Sequence, residues 1–219
     1  MSGPSLPLVD DAPLRAAMRA SERAGALLAL QLLRRRLGAL GAARVLGAVA
    51  AASLRGEPFP GRPVDARDRL TRRQAAGPVL VWRALRPRLG DAEALALTRE
   101  LVLAAGVRFL APLLARLDPA EVRDVAALRP FAGRFFNAEG TLERLEGDPP
   151  GVLFTVHRCR FVELLDAADA RPLAPLFCEV DAAFFRPAYT PIRLERPSTL
   201  AAGGPICDFR FRAPGPSAE

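Results

Sequence analysis

Lysine is absent from this sequence, and all 31 of its basic side chains are arginine. Together with abundant alanine, glycine and proline, that points to a GC-rich coding sequence rather than to a function. Cysteine is also scarce. Three residues, an odd number without a CxxC pair, exclude a disulfide framework and read as thiols in a reducing compartment, so a cytoplasmic protein is expected. There is one histidine and no Ser-His-Asp signature, phosphate-binding glycine loop or dinucleotide fingerprint. The start "MSGPSLPLVDDAPLRAAM" lacks a basic stretch before an apolar core and carries two acids, which argues against a secretory signal. The apolar run "AGALLALQLL" is cut by Arg34, Arg35 and Arg36 before the roughly 18 to 20 residues that span a bilayer, so no membrane helix is expected.

The net charge of +7 is unevenly spread: residues 151–219 hold eight arginines and eight acids, so the excess lies in residues 1–150. A nucleic-acid reader clusters its charge beside aromatic rings for stacking. Here ten of the twelve phenylalanines follow residue 130, away from the basic half. The arginines therefore read as solvated helix faces and no nucleic-acid partner is expected, with "RLTRRQ" the one candidate anion patch.

With 219 residues, half of them hydrophobic, the chain can bury one ordinary core or two small ones without disulfides. Residues 13–55, rich in Ala, Leu and Arg, predict one or two helices interrupted near the glycines of "RLGALGAA". The prolines of "RGEPFPGRPVD" end them, and Asp65 is placed to cap the next helix. "GPVLVWRALRPRLG" fits either a buried strand or a helix. A long helix follows with Asp91 as N-cap, an apolar stripe of Leu95, Thr98, Val102, Gly106, Phe109 and Leu113, and a kink or break at Pro112. "DPAEVRDVAALRP" predicts a short helix ending at Pro130. Beyond residue 131, "GVLFTVHR", "PIRLERPSTL" and "ICDFRFRA" read as strands, and "FVELLDAADA" and "LAPLFCEVDAAFF" as helices. The expected fold is α+β: a helical N-terminal half, then a small, mostly antiparallel sheet with two packed helices. The expected divisions are an N-terminal helical segment and connector (1–63), an α+β domain (64–212) and a tail (213–219).

The chemistry-bearing residues concentrate at the C-terminal end. In "FTVHRCRFVELL", His157 and Cys159 are two apart, which in an extended strand puts both on one face. Cys159 is flanked by Arg158 and Arg160, an electropositive setting that lowers a thiol pKa. Cys178 and Asp181 share a helix face by their spacing of three, and Cys207 is followed by Asp208. A thiolate can attack an electrophilic carbon while Asp181 or Asp208 shuttles a proton to a leaving nitrogen. Buried cysteines are more often small hydrophobes than reagents. His157, Cys159, Cys178 and Cys207 also form a Cys3His set suited to zinc, although only "HRC" has local ligand spacing. The pair Gly203 and Gly204 can let backbone N–H groups approach a substrate, or simply turn the chain into the last strand.

The run from "VHRCRF" through "CEVD" and "RPSTLAAGG" to "ICDFRFR" resembles the C-terminal region of the L-2-amino-thiazoline-4-carboxylic acid hydrolase family. The positions carrying the resemblance are Cys159, Cys178, Asp181, Arg196, Thr199, Gly203, Cys207, Asp208 and Phe209, and the match extends over about residues 77 to 212. The resemblance implies thiol-assisted hydrolytic opening of a cyclic amidine at a C–N bond, giving a carbamoyl-cysteine without a cofactor. Cys159 or Cys178 would be the nucleophile, with Arg160 or Arg196 holding the substrate carboxylate and Gly203 nearby. The family often has another residue where this chain has His157, so the histidine is expected to modulate or pack. The alternative is a non-catalytic module binding a small molecule or metal in a cysteine-lined pocket, a reading also carried by an architecture similar to four-vinyl-reductase-type ligand-binding domains. A small-molecule carboxylate is the expected partner, no membrane partner is expected, and self-association is left open.

Overall fold

Asp11 starts the first helix by accepting the Leu14 N–H at 3.0 Å, with Pro13 in the first turn where no N–H is needed. This helix, α1 (Ala12–Leu54), breaks its regular backbone only at Gly38, whose φ of 71° is accessible to a residue without Cβ. The computed structural model describes residues 6–115 and 117–214. After α1 come α2 (Ala66–Leu89), α3 (Asp91–Leu114), α4 (Val125–Gly133), β1 (Ala138–Leu145), β2 (Gly151–Cys159), α5 (Arg160–Ala167), α6 (Ala174–Phe184), β3 (Arg193–Glu195) and β4 (Cys207–Arg212). The sheet order is β1-β2-β4-β3 with every pair antiparallel, so the α+β architecture is the one the sequence predicts.

The helices differ from expectation at their ends. Asp65 does cap α2, accepting the Asp68 N–H at 2.8 Å. The ambiguous "GPVLVWRALRPRLG" is helical, with Pro78 and Pro87 inside α2. Gly90 rather than Asp91 precedes α3; Asp91 occupies the first turn, where a carboxylate suits the helix dipole, and pairs with Arg86 at 2.6 Å. Pro112 does not break α3, which continues to Leu114. The next segment divides into a 3-10 turn (Pro119–Arg123) and α4, which Asp124 caps and which runs through Pro130 to Gly133.

The apolar run that stops at Arg34–Arg36 resumes beyond them. One 18-residue window of α1 has mean hydropathy 1.6 with 11% of it buried, so by length and composition α1 is long and apolar enough to cross a bilayer. In this fold Leu14, Ala17, Met18, Ala29, Leu33, Ala42 and Val45 of α1 join a single buried core that reaches Phe211 of β4. The expected tail begins with a buried Ala213; residues 215–219 lie outside the described residues.

Strand β1 is the element without a sequence signal, and it sets the register of the site. Its pairing with β2 runs Glu139 to Arg158 and then Gly140 to Val156, so His157 is the extra residue of a β-bulge. The bulge reverses the alternation: Val152, Phe154 and Val156 face the core, and Cys159 follows them, while His157 is exposed. The expected shared face of His157 and Cys159 does not exist. Gly140 permits this close pairing, because a Cβ there would press on the Thr155 carbonyl oxygen. Gly140→Ala is therefore expected to cost about 3 kcal/mol, lowering the melting temperature by about 10 °C in a thermal scan. A shift under about 2 °C would show that the bulge yields freely.

Candidate functional site

Between the helical layer of α1, α2, α3 and α6 and the inner face of β2 and β4 lies a cavity of about 430 Å3. All three cysteines line it, as does Asp181. Each arrives by its own element. Cys159 ends β2 and stands at the N-terminus of α5; Cys178 and Asp181 are one turn apart on α6; Cys207 opens β4 beside Phe209 and Phe211. The sequence places three thiols around one pocket, and the fold brings them there.

The thiols are not activated as they stand. Burial pushes Cys178 up to about 12 and Cys207 up to about 11, and raises Cys159 as well. For Cys159 the Val162 and Phe161 amides and the Asn137 carboxamide, its nitrogen 4.0 Å from Sγ, pull the other way without overcoming burial. Cys207 Sγ accepts the Leu200 N–H at 3.3 Å. The electropositive setting expected for Cys159 is neutralised. Arg158 pairs with Glu163 at 2.6 Å and with Glu139, and Arg160 is buried between Glu139 at 2.6 Å and Asp65 at 2.7 Å. Arg160 thus ties α5, β1 and the cap of α2 together and does not line the cavity. At pH 8 all three thiols should react with an aromatic disulfide reagent at least about tenfold more slowly than free cysteine, and at the free rate after unfolding. A fast-reacting native thiol would contradict this.

Asp181 is the opposite case: burial raises its carboxyl to about 6, although Arg196 opposes the rise. Arg196 donates to Asp181 Oδ2 at 2.8 Å and to the Cys178 carbonyl at 2.7 Å, and its guanidinium lies over the Phe209 ring at 5.1 Å. Its Nε–H is buried and has no acceptor among the described residues. Arg196 does not itself line the cavity, so the group presented to a ligand is the Asp181 carboxyl, which poised near neutrality is suited to moving a proton.

The other candidates are placed elsewhere. Asp208 is on the other face of β4, bound by Arg210 at 2.8 Å, and does not line the cavity. Gly203 and Gly204 spend their N–H groups on the Leu200 and Thr199 carbonyls, so neither offers a donor to a substrate. Thr199 caps the 3-10 turn Leu200–Ala202. His157 stays outside the cavity, and among the described residues no three His, Cys, Asp or Glu side chains group as metal ligands, so the Cys3His set is not assembled. Sequence reasoning missed Asn137, the only asparagine of the chain, and the contribution of α1 to the wall.

A family model described as L-2-amino-thiazoline-4-carboxylic acid hydrolase matches residues 68–211. No curated protein matches the chain, and no solved structure does.

Proposed function

The chain belongs to the L-2-amino-thiazoline-4-carboxylic acid hydrolase family, and from that premise we propose that it opens a cyclic amidine at a C–N bond, with Cys159 as nucleophile and Asp181 as acid and base. The observation that carries this reading is the convergence of the thiols and a carboxyl of raised pKa in one cavity. Cys159 is chosen because it alone of the three stands at a helix N-terminus, where the Phe161 and Val162 amides favour developing negative charge. Cys207 is occupied as a hydrogen-bond acceptor, and Cys178 has the thiol pushed up to about 12.

A thiol of raised pKa needs a base at the moment of attack, and Asp181 carboxylate is that base. As Cys159 Sγ bonds to the amidine carbon, its proton passes to Asp181 and then to the ring nitrogen. The exocyclic amino group gives up the second proton as the ring C–N bond breaks to free a primary amine, leaving an imino carbon bonded to both Sγ and the substrate's own sulfur. The carbon stays on sulfur until water, deprotonated by Asp181, adds to it. The C–Sγ bond then breaks, the thiol recovers the proton, and the product leaves with its carbamoyl group on the substrate's own sulfur. No step needs a cofactor. Arg196, which does not itself line the cavity, is a positioning residue that holds the Asp181 carboxyl through its 2.8 Å hydrogen bond. A cytoplasmic setting and a small-molecule partner belong to this reading.

The test is turnover of L-2-amino-thiazoline-4-carboxylate in 18O-water. The expected result is saturable conversion with one label in the new carbonyl, on an activity that rises with pH through about 6 as Asp181 ionises. Folded protein that binds the compound without converting it would replace this reading with a non-catalytic binding module, which the uniformly raised thiols also suit.

A further inference from the structure

The geometry points to a ligand with an extended apolar body, an amphiphile whose polar head reaches the thiols and Asp181 and whose tail runs between α1 and α2. This rests on the proposed site and names its substrate class. The cavity, about 430 Å3, falls in the range that encloses a drug-sized molecule. Its walls are hydrocarbon over most of their extent. Eight of the twelve phenylalanines line it, among them Phe161 and Phe177 stacked at 4.1 Å.

Charge is confined to two places. At the inner end Asp181 lines the cavity, paired with Arg196, which lies outside the lining. At the outer end Glu22 of α1 is paired with Arg73 of α2 at 2.5 Å, both about half exposed, with side-chain exposures of 41% and 50%. These two residues, with the exposed Ala26 and Gly77, both line the cavity and meet solvent, so the mouth lies there. A small zwitterion placed at the inner end would leave the apolar stretch between the two charge clusters unfilled. That stretch is complementary to methylene or ring surface, and each buried CH2 contributes a fixed gain.

The experiment uses the full chain and needs no turnover. Straight-chain carboxylic acids of six to fourteen carbons, below their micellar concentrations, are titrated against bound N-phenyl-1-naphthylamine by fluorescence. Expected is one site per chain, with affinity rising roughly fourfold per added methylene and then levelling when the cavity is full. Ala26→Trp, at the exposed mouth, should weaken the longer acids at least about tenfold, and a melting scan confirms that the variant is folded. Affinity independent of chain length, or length dependence unchanged in Ala26→Trp, would overturn the inference. Tight binding of the acids with no hydrolysis of any aminothiazoline would leave the inference standing and remove the hydrolase reading. Turnover of the unsubstituted carboxylate with no binding of the acids would do the reverse.

Discussion

Asp181→Asn lowers kcat/KM by about 10² to 10⁴ and removes the acid limb near pH 6: this is the expected result on any aminothiazoline the protein turns over. The direction follows from the role. In the proposed mechanism Asp181 is the base, so activity is expected above its pKa and is lost as pH falls through about 6. Asparagine fills the same space and still accepts a hydrogen bond from Arg196, but it cannot take a proton. Cys159→Ser should fall at least as far, because a buried hydroxyl is a weaker nucleophile than a buried thiol. Cys207→Ser should fall least, since a hydroxyl can also accept the Leu200 N–H. A full acid limb in Asp181→Asn would assign the proton transfer to another group.

Arg196→Leu is expected to destabilise the fold by about 3 to 5 kcal/mol at pH 8, because it leaves the Asp181 carboxylate buried without its cationic donor. The loss should shrink on acidification. The folded-state pKa of Asp181 lies above its ordinary 3.8, so the native chain holds the proton more tightly than the unfolded one, and stability falls as pH rises through about 4 to 6. Without Arg196 that pKa moves higher still, and the penalty of ionisation grows at neutral pH. Denaturant titrations at pH 5 and pH 8 read the difference directly. Equal losses at both pH values would mean that Arg196 contributes packing over Phe209 rather than charge.

Where local chemistry decides structure, the sequence was readable: the helix break among the glycines of "RLGALGAA", the Asp65 cap and the strand in "ICDFRFRA" are all in place. Where pairing decides, it was not. β1, "AEGTLERL", is a polar edge strand whose outer half is solvated, and it owes its conformation to hydrogen bonds with β2. The bulge at His157 depends on that pairing, so nothing in "FTVHRC" by itself could say that Cys159 rather than His157 would face inward. The same limit applies to Arg160. Its neighbours in sequence make Cys159 look electropositive, yet Glu139 and Asp65, distant in the chain, absorb the charge.

The segment that matches the family begins at residue 68, and α1 ends at Leu54, yet Met18, Ser21, Gly25, Ala29, Leu46 and Val49 form one wall of the cavity. The groups proposed to react all lie within the matched stretch, whereas α1, outside it, supplies one wall and, with Arg73 and Gly77 of α2, half of the mouth. A lineage could retailor what enters by altering a single helix, with the thiols, Asp181 and the sheet inherited intact. The same arrangement invites grafting, in which a different α1 on an unchanged residue 68–211 scaffold would alter which ligands the cavity accepts.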